Sequence, residues 1–286
     1  MNAHEQNPGV RPDTGESAGD WIRRSGGPSG IERIEAFFHG HGYEMHRHDT
    51  YAIGVTLGGV QSFNYRREKR HSLPGQIIVL HPDEEHDGEA GTSAGFTYRM
   101  VYVAPALLQE ALGEKALPFV PGGISDNARL RAAVHAMLLD EEAHSDTLAE
   151  DDALFDLAAA LDAAAGSPSQ RHCGDFRAAH KARAYIHDAL DRPVTLDELA
   201  LASGRDRWSL SRDFRSFFGT SPHRYLTMRR LDLVRGLMLR GHSLADCAAS
   251  AGFADQSHMT RQFMKAYGVS PAKWLKIVDA GGHAGR

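Results

Sequence analysis

The segment AGFADQSHMTRQFMKAYGVSPAKW, residues 251–274, carries polar side chains whose types suit the edges of DNA bases. Arg bonds to guanine or to phosphate, Gln bonds to adenine, and Ser and Thr bond to either. On a short helix, Met259 and Phe263 would pack inward and leave the polar residues on the outer face. We therefore predict DNA contacts from Gln256, Ser257, His258, Thr260, Arg261 and Lys265.

An earlier segment repeats this arrangement. SRDFRSFFGTSP, residues 211–222, aligns with TRQFMKAYGVSP, residues 260–271, and the two share Arg, Phe, Gly, Ser and Pro at equivalent positions. Such repetition indicates two copies of one structural unit. Leu210 and Phe214 would pack inward in the first copy, so its predicted DNA contacts are Arg207, Trp208, Ser211, Arg212 and Arg215.

A helix with recognisable ends is predicted before each copy. The runs TLDE (195–198) and SLAD (243–246) have the spacing of a capping box, and Gly204 and Gly252 allow a sharp helix exit. A capped helix, a glycine turn and a second helix make up a helix-turn-helix, whose second helix fits the DNA major groove. The segment 227–238, TMRRLDLVRGLM, has the length and period of a helix that joins the two units.

Residues 180–278 resemble the double helix-turn-helix DNA-binding domain of AraC-type transcriptional regulators. The repeated Ser/Thr-Arg-x-Phe…Gly-x-Ser-Pro pattern and the run GFADQS (252–257) carry this resemblance. It implies that Trp208, Ser211 and Arg212 enter one major-groove segment. The next segment, about one helical turn along the DNA, would receive Gln256, Ser257, His258 and Arg261.

The charge distribution favours an anionic partner for the C-terminal part alone. From Ala178 onward the chain carries 17 of its 32 Lys and Arg but only 10 of its 37 Asp and Glu. The remainder is therefore acidic, and the basic part fits an anionic partner such as DNA. Arg205 stands where the second copy has Phe253, which makes the first turn more polar and offers a phosphate contact.

Histidines are concentrated near the N-terminus, where seven of the 17 fall between His39 and His86. His46 and His48 alternate by two, so on a strand they would share one face. His86 follows a turn at Gly75 and a buried-looking strand. Two histidines on one face and a distant third could supply imidazole ligands to zinc or another transition metal.

The surrounding pattern predicts strands. Residues 31–120 hold short runs typical of an antiparallel sandwich or barrel, namely IERIEAFF, YAIGVTL, QSFNY, GQIIVLH and FTYRMVYV. The first 30 residues are rich in Gly, Pro, Ser and Asp, so we predict a disordered tail over 1–30.

The order of these runs and histidines resembles a cupin barrel, the usual sensory domain joined to AraC-type DNA-binding domains. This implies a small-molecule effector whose pocket is lined by His46, His48, Tyr51, His86, Arg99 and Tyr102. Cupin metal sites commonly add a Glu four or five positions after the second histidine, where this chain has Ala52 and Ile53. The histidines are therefore pocket walls or metal ligands, and both roles stay open. Arg99 and Tyr102 cannot both face inward on a regular strand.

Residues 121–165 are predicted to form two amphipathic helices, the first capped by Asp126. The apolar positions are Leu130, Val134, Met137 and Leu138 in the first helix and Leu154, Leu157 and Leu161 in the second. These side chains could form a dimer interface, or they could pack onto their own domain. A linker over 166–179 and a short tail over 279–286 complete the predicted domain organisation.

The leading interpretation is a multidomain α+β transcription regulator with a cupin-like effector-sensing barrel over 31–120, dimerisation helices and an all-α double helix-turn-helix. Double-stranded DNA, a small-molecule effector and a second copy of the chain would be its partners, with RNA polymerase as a further candidate. The alternatives are a cupin metalloenzyme fused to a DNA-binding tail and an effector-independent DNA-binding protein. No catalytic residue and no firmly required cofactor is predicted.

Composition excludes several other classes. No run approaches the roughly 18 apolar residues that a membrane span needs, and no signal pattern opens the chain, so we predict a cytoplasmic protein without a membrane partner. Only Cys173 and Cys247 occur, which excludes a disulfide framework and a four-thiolate zinc site. The same count excludes the alkyl-transfer DNA-repair proteins that carry a similar tail, because they need a cysteine zinc cluster.

Overall fold

The chain forms a strand-rich N-terminal domain and a helical C-terminal domain in a computed structural model. The structure describes residues 19–25, 31–113, 117–138, 147–166 and 174–283. The strands among these residues are β1 (Trp21–Ser25), β2 (Ile31–Phe38), β3 (His41–His46), β4 (Tyr51–Gly59), β5 (Gln61–Tyr65), β6 (Glu68–Ser72), β7 (Ile77–Leu80), β8 (His86–Ala90), β9 (Phe96–Val103) and β10 (Ile124–Ser125).

Two antiparallel sheets build the N-terminal domain, as the sequence predicts. The larger has the order β1-β2-β9-β4-β7-β10 and the smaller the order β3-β8-β5-β6. The central strands of the larger sheet are buried on both faces, because one face packs against the smaller sheet and the other against helices. Successive side chains of such a strand point alternately into the two cores. In β4, Ala52 belongs to the core between the sheets, whereas Tyr51, Ile53 and Val55 belong to a core shared with helices.

The strands predicted from apolar runs are confirmed, and β2, β5 and β9 match the predicted runs residue for residue. Of the described strands that lie outside the predicted runs, β1 and β10 belong to the larger sheet, whereas β3, β6 and β8 belong to the smaller one. Their sequences HGYEMH, EKRHS and HDGEA hold few apolar residues. An antiparallel sheet can leave one face in water, so such strands lack the apolar signal on which prediction depends.

Three helices cover the outer face of the larger sheet: α1 (Pro105–Leu112), α2 (Ala128–Met137) and α3 (Thr147–Ala164). The predicted leucine positions of α2 and α3 are buried in their own domain, in a core shared with the sheet. Of the two predicted arrangements for these positions, packing within the domain is the observed one. Asn127, and not the predicted Asp126, caps α2, because its side chain accepts a hydrogen bond from the Leu130 amide at 3.0 Å.

The C-terminal domain is helical throughout, with α4 (Phe176–His187), α5 (Leu196–Ser203), α6 (Arg207–Phe218), α7 (Pro222–Leu239), α8 (Leu244–Ser250), α9 (Gln256–Tyr267) and α10 (Pro271–His283). The repeat is confirmed in three dimensions. Asp206 and Asp255 cap α6 and α9, and both helices end at a left-handed glycine, Gly219 or Gly268. Within the described residues, no helix is long and apolar enough to cross a membrane.

Each helix-turn-helix unit has its own core, and α7 takes part in both. Tyr225 and Leu226, near the start of α7, pack with Phe214 of the first unit. Leu231 and Val234, further along α7, pack in the core of the second unit. The predicted connecting helix is therefore a shared structural element that fixes one unit relative to the other.

Three segments differ from the predicted boundaries. Trp21–Ser25 is a strand and not part of a disordered tail, because it pairs with β2 and forms the edge of the larger sheet. Helix α4 begins at Phe176 inside the predicted linker, since the Asp175 side chain caps it by accepting from the Ala178 amide at 2.9 Å. Helix α10 continues to His283, into the predicted C-terminal tail. Residues 1–18 and 167–173 lie outside the described residues.

Candidate effector cavity and nucleic-acid interface

The predicted DNA-contacting residues lie on α6 and α9, the second helices of the two units. Trp208 is 67% exposed although it is a large aromatic residue. Most of the other predicted residues are exposed as well, and Ser211, His258 and Thr260 are half-buried. Leu210, Phe214, Met259 and Phe263 are buried as predicted. Both helices thus present a polar outer face over an apolar inner face.

Several polar side chains on α6 are already oriented by neighbours. The Arg212 guanidinium donates to Ser209 Oγ at 2.9 Å, and the Arg215 guanidinium donates to the Ser211 carbonyl at 3.1 Å. These local hydrogen bonds are exposed, so the two arginines can exchange them for bonds to phosphates or base edges at a small cost in free energy.

Arg205, for which the sequence predicts a phosphate contact, has a partner within the protein. Its Nε donates to the carboxylate of Asp213 at 2.9 Å, and the side chain of Asp213 is buried. In the second unit the corresponding Phe253 is buried in the apolar core. The first unit therefore holds its turn with an ion pair where the second uses apolar packing, and a phosphate contact by Arg205 would compete with this pair.

The glycines that end α6 and α9 both lie against the N-terminal domain. A Cβ on Gly219 would stand 2.6 Å from Pro82 Cβ, and one on Gly268 would stand 2.6 Å from the Glu44 carbonyl oxygen. The Glu44 amide donates to the Gly268 carbonyl at 3.0 Å. Side chains larger than hydrogen would separate these surfaces.

Ion pairs fasten α7 to the barrel. Arg224 pairs with Asp83 at 2.8 Å and also donates to the Arg47 carbonyl. Arg229 contacts both carboxylate oxygens of Asp49, at 3.1 and 2.9 Å. Arg235 contacts both carboxylate oxygens of Glu32, at 2.8 and 2.7 Å.

A cavity of about 420 Å³ lies between the two domains. The barrel side contributes Phe38, Leu80, Tyr98, Met100 and Tyr102. The opposite wall comes from α7, α9, α10 and the turn between α9 and α10, with Met228, Ala266, Val269, Trp274 and Ile277. Its size falls in the range of small-molecule sites, and its lining is largely apolar with a few polar groups.

His46, His48 and His86 meet at the barrel side of this cavity. His46 and His86 are directly opposite each other on β3 and β8, with ring centroids 4.3 Å apart. His48 lies just after the end of β3, not on the strand as predicted, yet its ring centroid is 4.8 Å from that of His86. One nitrogen of each of the three residues lies within 4.8 Å of the others.

The protein environment keeps these imidazoles neutral. Burial lowers the pKa of His86 to about 4. Burial also lowers the pKa values of His46 and His48 well below the usual range, and the neighbouring His86 lowers both further. Neutral imidazoles offer a lone pair to a hydrogen-bond donor or to a metal ion.

The cavity holds some predicted effector residues and excludes others. Tyr102 lines it together with the three histidines. Tyr51 faces the helices instead, where its hydroxyl donates to the Pro118 carbonyl at 2.7 Å. Arg99 points outward and pairs with Glu35 at 3.0 Å. As predicted, Arg99 and Tyr102 do not both face inward, and Tyr102 is the one that lines the cavity.

Sequence reasoning missed most of the lining. Tyr98 and Met100 alternate with Tyr102 along β9, so the period of two could have identified them. Arg24 and Glu32 come from β1 and β2, while Arg229, Asp232 and Arg235 come from the other domain. No local pattern in the sequence indicates that these distant segments meet.

Comparisons with known proteins agree with this architecture. Residues 28–158 match the family model of an AraC-like ligand binding domain, and residues 199–277 match that of a helix-turn-helix domain. The uncharacterized HTH-type transcriptional regulator YbfI of Bacillus subtilis (strain 168) is 23% identical over 233 residues, which cover 76% of this chain and 81% of YbfI. The probable transcription factor PqrA of Proteus vulgaris is 34% identical over 82 residues, which cover 28% of this chain and 67% of PqrA.

A solved structure shows the same fold over most of the chain. Wild-type ToxT from Vibrio cholerae strain SCE256, with an unsaturated fatty acid bound, superposes with a TM-score of 0.61 at 12% identity. The match covers 94% of this chain and 98% of the ToxT chain. Repeat, fold and relatives together show that the chain belongs to the AraC family of transcription regulators, with an N-terminal ligand-binding domain and a C-terminal helix-turn-helix DNA-binding domain.

Proposed function

We propose that the cavity between the two domains is the effector site, and that its occupant controls how the regulator engages DNA. The observation that carries this proposal is the composition of the walls, one from the barrel and the other from α7, α9 and α10. A ligand there contacts the ligand-binding domain and the DNA-binding helices at once. It can therefore shift the equilibrium between two domain arrangements, provided that its affinity differs between them.

The lining favours a largely apolar effector with one polar head group. The charged side chains at the cavity balance one another, with Arg24, Arg229 and Arg235 opposite Glu32, Asp49 and Asp232. They pair within the protein, so no net charge is left for a strongly ionic ligand. The polar atoms that remain available include the histidine nitrogens. The unsaturated fatty acid bound to ToxT is a molecule of this shape, which supports the same class for this chain.

We propose in addition that α6 and α9 enter two adjacent major-groove segments. The equivalent ends of the two helices and the shared helix α7 support this arrangement. The proposed contacts are Arg207, Trp208, Ser211, Arg212 and Arg215 in the first segment and Gln256, Ser257, His258, Thr260, Arg261 and Lys265 in the second.

We propose that this regulator acts by binding and not by turnover. The position where cupin metal sites commonly carry a Glu holds the buried residues Ala52 and Ile53. Apolar packing therefore takes the place of the carboxylate that commonly completes the metal site of cupin enzymes. Consumption of an effector by the purified protein would favour the metalloenzyme alternative.

The effector site is tested with oleic acid as the probe. DNA is first selected from a random-sequence library, and its affinity is then measured with and without oleic acid. Met100→Trp, which fills the cavity from β9, should abolish the effect of oleic acid on thermal stability and on DNA affinity. Arg99→Trp changes the neighbouring outward residue and should keep the response. An equal response in both variants would contradict the proposed site.

A further inference from the structure

We propose that His46, His48 and His86 bind a divalent transition metal ion of the zinc class, with one coordination position open to the interdomain cavity. The three residues come from separate places in the chain, β3, the segment after it and β8. They nevertheless bring one nitrogen each within 4.8 Å of one another. All three are buried.

Each imidazole is held in one orientation by the backbone. His46 Nδ1 lies 2.8 Å from the Glu44 carbonyl oxygen, His48 Nδ1 lies 2.9 Å from the Thr50 carbonyl oxygen, and His86 Nδ1 lies 3.0 Å from the Glu84 carbonyl oxygen. A carbonyl only accepts hydrogen bonds, so each Nδ1 carries the proton. Each Nε2 then has a free lone pair, which is the tautomer that a metal-binding histidine with a carbonyl partner adopts.

One of these nitrogens has an unmet bonding requirement. His48 Nε2 is buried and has no hydrogen-bond partner within the protein. A buried polar atom without a partner costs free energy, and such an exception calls for an explanation. A metal ion shared with His46 and His86 would satisfy it.

The donor set selects the kind of ion. Imidazole nitrogen suits Zn²⁺, Ni²⁺, Cu²⁺ and Fe²⁺, whereas Mg²⁺ and Ca²⁺ prefer oxygen. Three protein ligands leave the fourth position of a tetrahedral ion open, as in zinc sites that bind an exogenous ligand. Nearby Arg224 and Arg229 would repel an ion, but each is paired with a carboxylate, Asp83 and Asp49 respectively.

The open position would face the cavity and could take an oxygen of an effector's head group. This consequence rests on the proposed effector site, whereas metal binding itself needs only the three histidines. The two proposals therefore fail separately: metal binding without any response to oleic acid would leave the metal site intact.

The test uses the full chain without a histidine tag, because a tag binds the same ions. The protein is stripped with a chelator, dialysed against Zn²⁺ or Co²⁺, and its metal content is measured by mass spectrometry. We expect about one ion per chain, and the Co²⁺ form should show the intense visible absorption of a tetrahedral site. His46→Gln and His86→Gln should each weaken binding at least tenfold.

His39→Gln is the matched control, since His39 is an exposed histidine of the same domain. It should bind the ion as the wild type does. Circular dichroism melts establish that each variant is folded, and the Co²⁺ spectrum of the wild type stands as a separate test if a variant fails to fold. Absence of a tetrahedral spectrum, or binding that persists equally in folded His46→Gln and His86→Gln, would overturn the proposal.

Discussion

Arg229 of α7 holds both carboxylate oxygens of Asp49, at 3.1 and 2.9 Å, and so joins the DNA-binding domain to the barrel beside His48. Asp49 is almost fully buried, with a side chain only 3% exposed. Because α7 takes part in the cores of both helix-turn-helix units, this pair links the cavity to the element that positions the two recognition helices.

Removing one member of this pair should destabilise the protein strongly. Arg229→Met leaves a buried carboxylate without its partner, and loss of one member of a buried pair typically costs about 3–5 kcal/mol. The double variant Asp49→Asn/Arg229→Met should cost less than the sum of the two single variants, as measured by urea unfolding.

The pair Lys69–Glu89 serves as a control, since its nitrogen and oxygen are 2.5 Å apart but both side chains are exposed. Lys69→Met and Glu89→Gln should each change the free energy of unfolding little. If the Asp49 and Arg229 substitutions were additive, the proposed link between the domains would be refuted.

Gly268→Ala should loosen the contact between α9 and the barrel. At a φ of 67° an alanine pays about 1–2 kcal/mol for the left-handed conformation, and its Cβ would meet the Glu44 carbonyl oxygen and Tyr43 Cβ. Gly204 has a similar φ of 72° with open space around it, so Gly204→Ala isolates the conformational cost.

Hydrogen exchange of the Glu44 amide, which donates to the Gly268 carbonyl, measures this contact directly. We expect faster exchange in Gly268→Ala and an unchanged rate in Gly204→Ala. Equal protection of Glu44 in the two variants would show that the domain contact tolerates the added methyl group.

Asp232 should make the stability depend on pH. Burial raises the pKa of its carboxyl to about 6, although Arg229 acts in the opposite direction. Arg229 and Arg235 each contact both oxygens of another carboxylate, on Asp49 and Glu32, so Asp232 is the weaker competitor for them. Those two carboxylates oppose its ionisation, and the Tyr267 hydroxyl donates to it at 3.4 Å.

The sign of the effect follows from linkage. Between the ordinary carboxyl pKa of 3.8 and the folded-state pKa of about 6, the folded state holds a proton that the unfolded state has lost. The free energy of unfolding should therefore fall as the pH rises through this window. In urea unfolding over the same pH window, the free energy of unfolding of Asp232→Asn should decrease less than that of the wild type. An equal decrease in the two proteins would contradict the raised pKa.

We propose that two copies of the chain associate through the outer face of α3. Leu148 and Phe155 are 66% and 58% exposed and lie seven residues apart, which puts them on one side of the helix. Phe155→Asp should shift the protein toward monomer in light scattering, because an aromatic anchor at an interface often contributes about 2 kcal/mol or more. Leu201→Asp, at an exposed leucine of α5, should leave the molar mass unchanged. A monomeric mass for the wild type in light scattering would contradict this proposal.

Local signals predicted the DNA-binding domain well. Capping residues, left-handed glycines and the repeated Phe and Pro positions act over a few residues, so α6 and α9 could be recognised without knowledge of the tertiary structure. The interdomain cavity could not be predicted from the sequence, because Trp274 and Met228 come close to Tyr98 only when one domain docks onto the other. His48 illustrates both cases: its partnership with His46 was predicted, but from a strand that ends two residues earlier.

The recognition of two groove segments is tested most directly by comparing selected DNA sequences. Arg212 and Arg261 hold equivalent positions on α6 and α9, so Arg212→Ala and Arg261→Ala should each lose base preference in a different half of the motif. The halves should be centred about 10 base pairs apart, and each substitution should cost about 1–3 kcal/mol of specific binding. Arg240→Ala, outside both helices, should select the wild-type motif. An unchanged motif in both Arg212→Ala and Arg261→Ala would contradict the account.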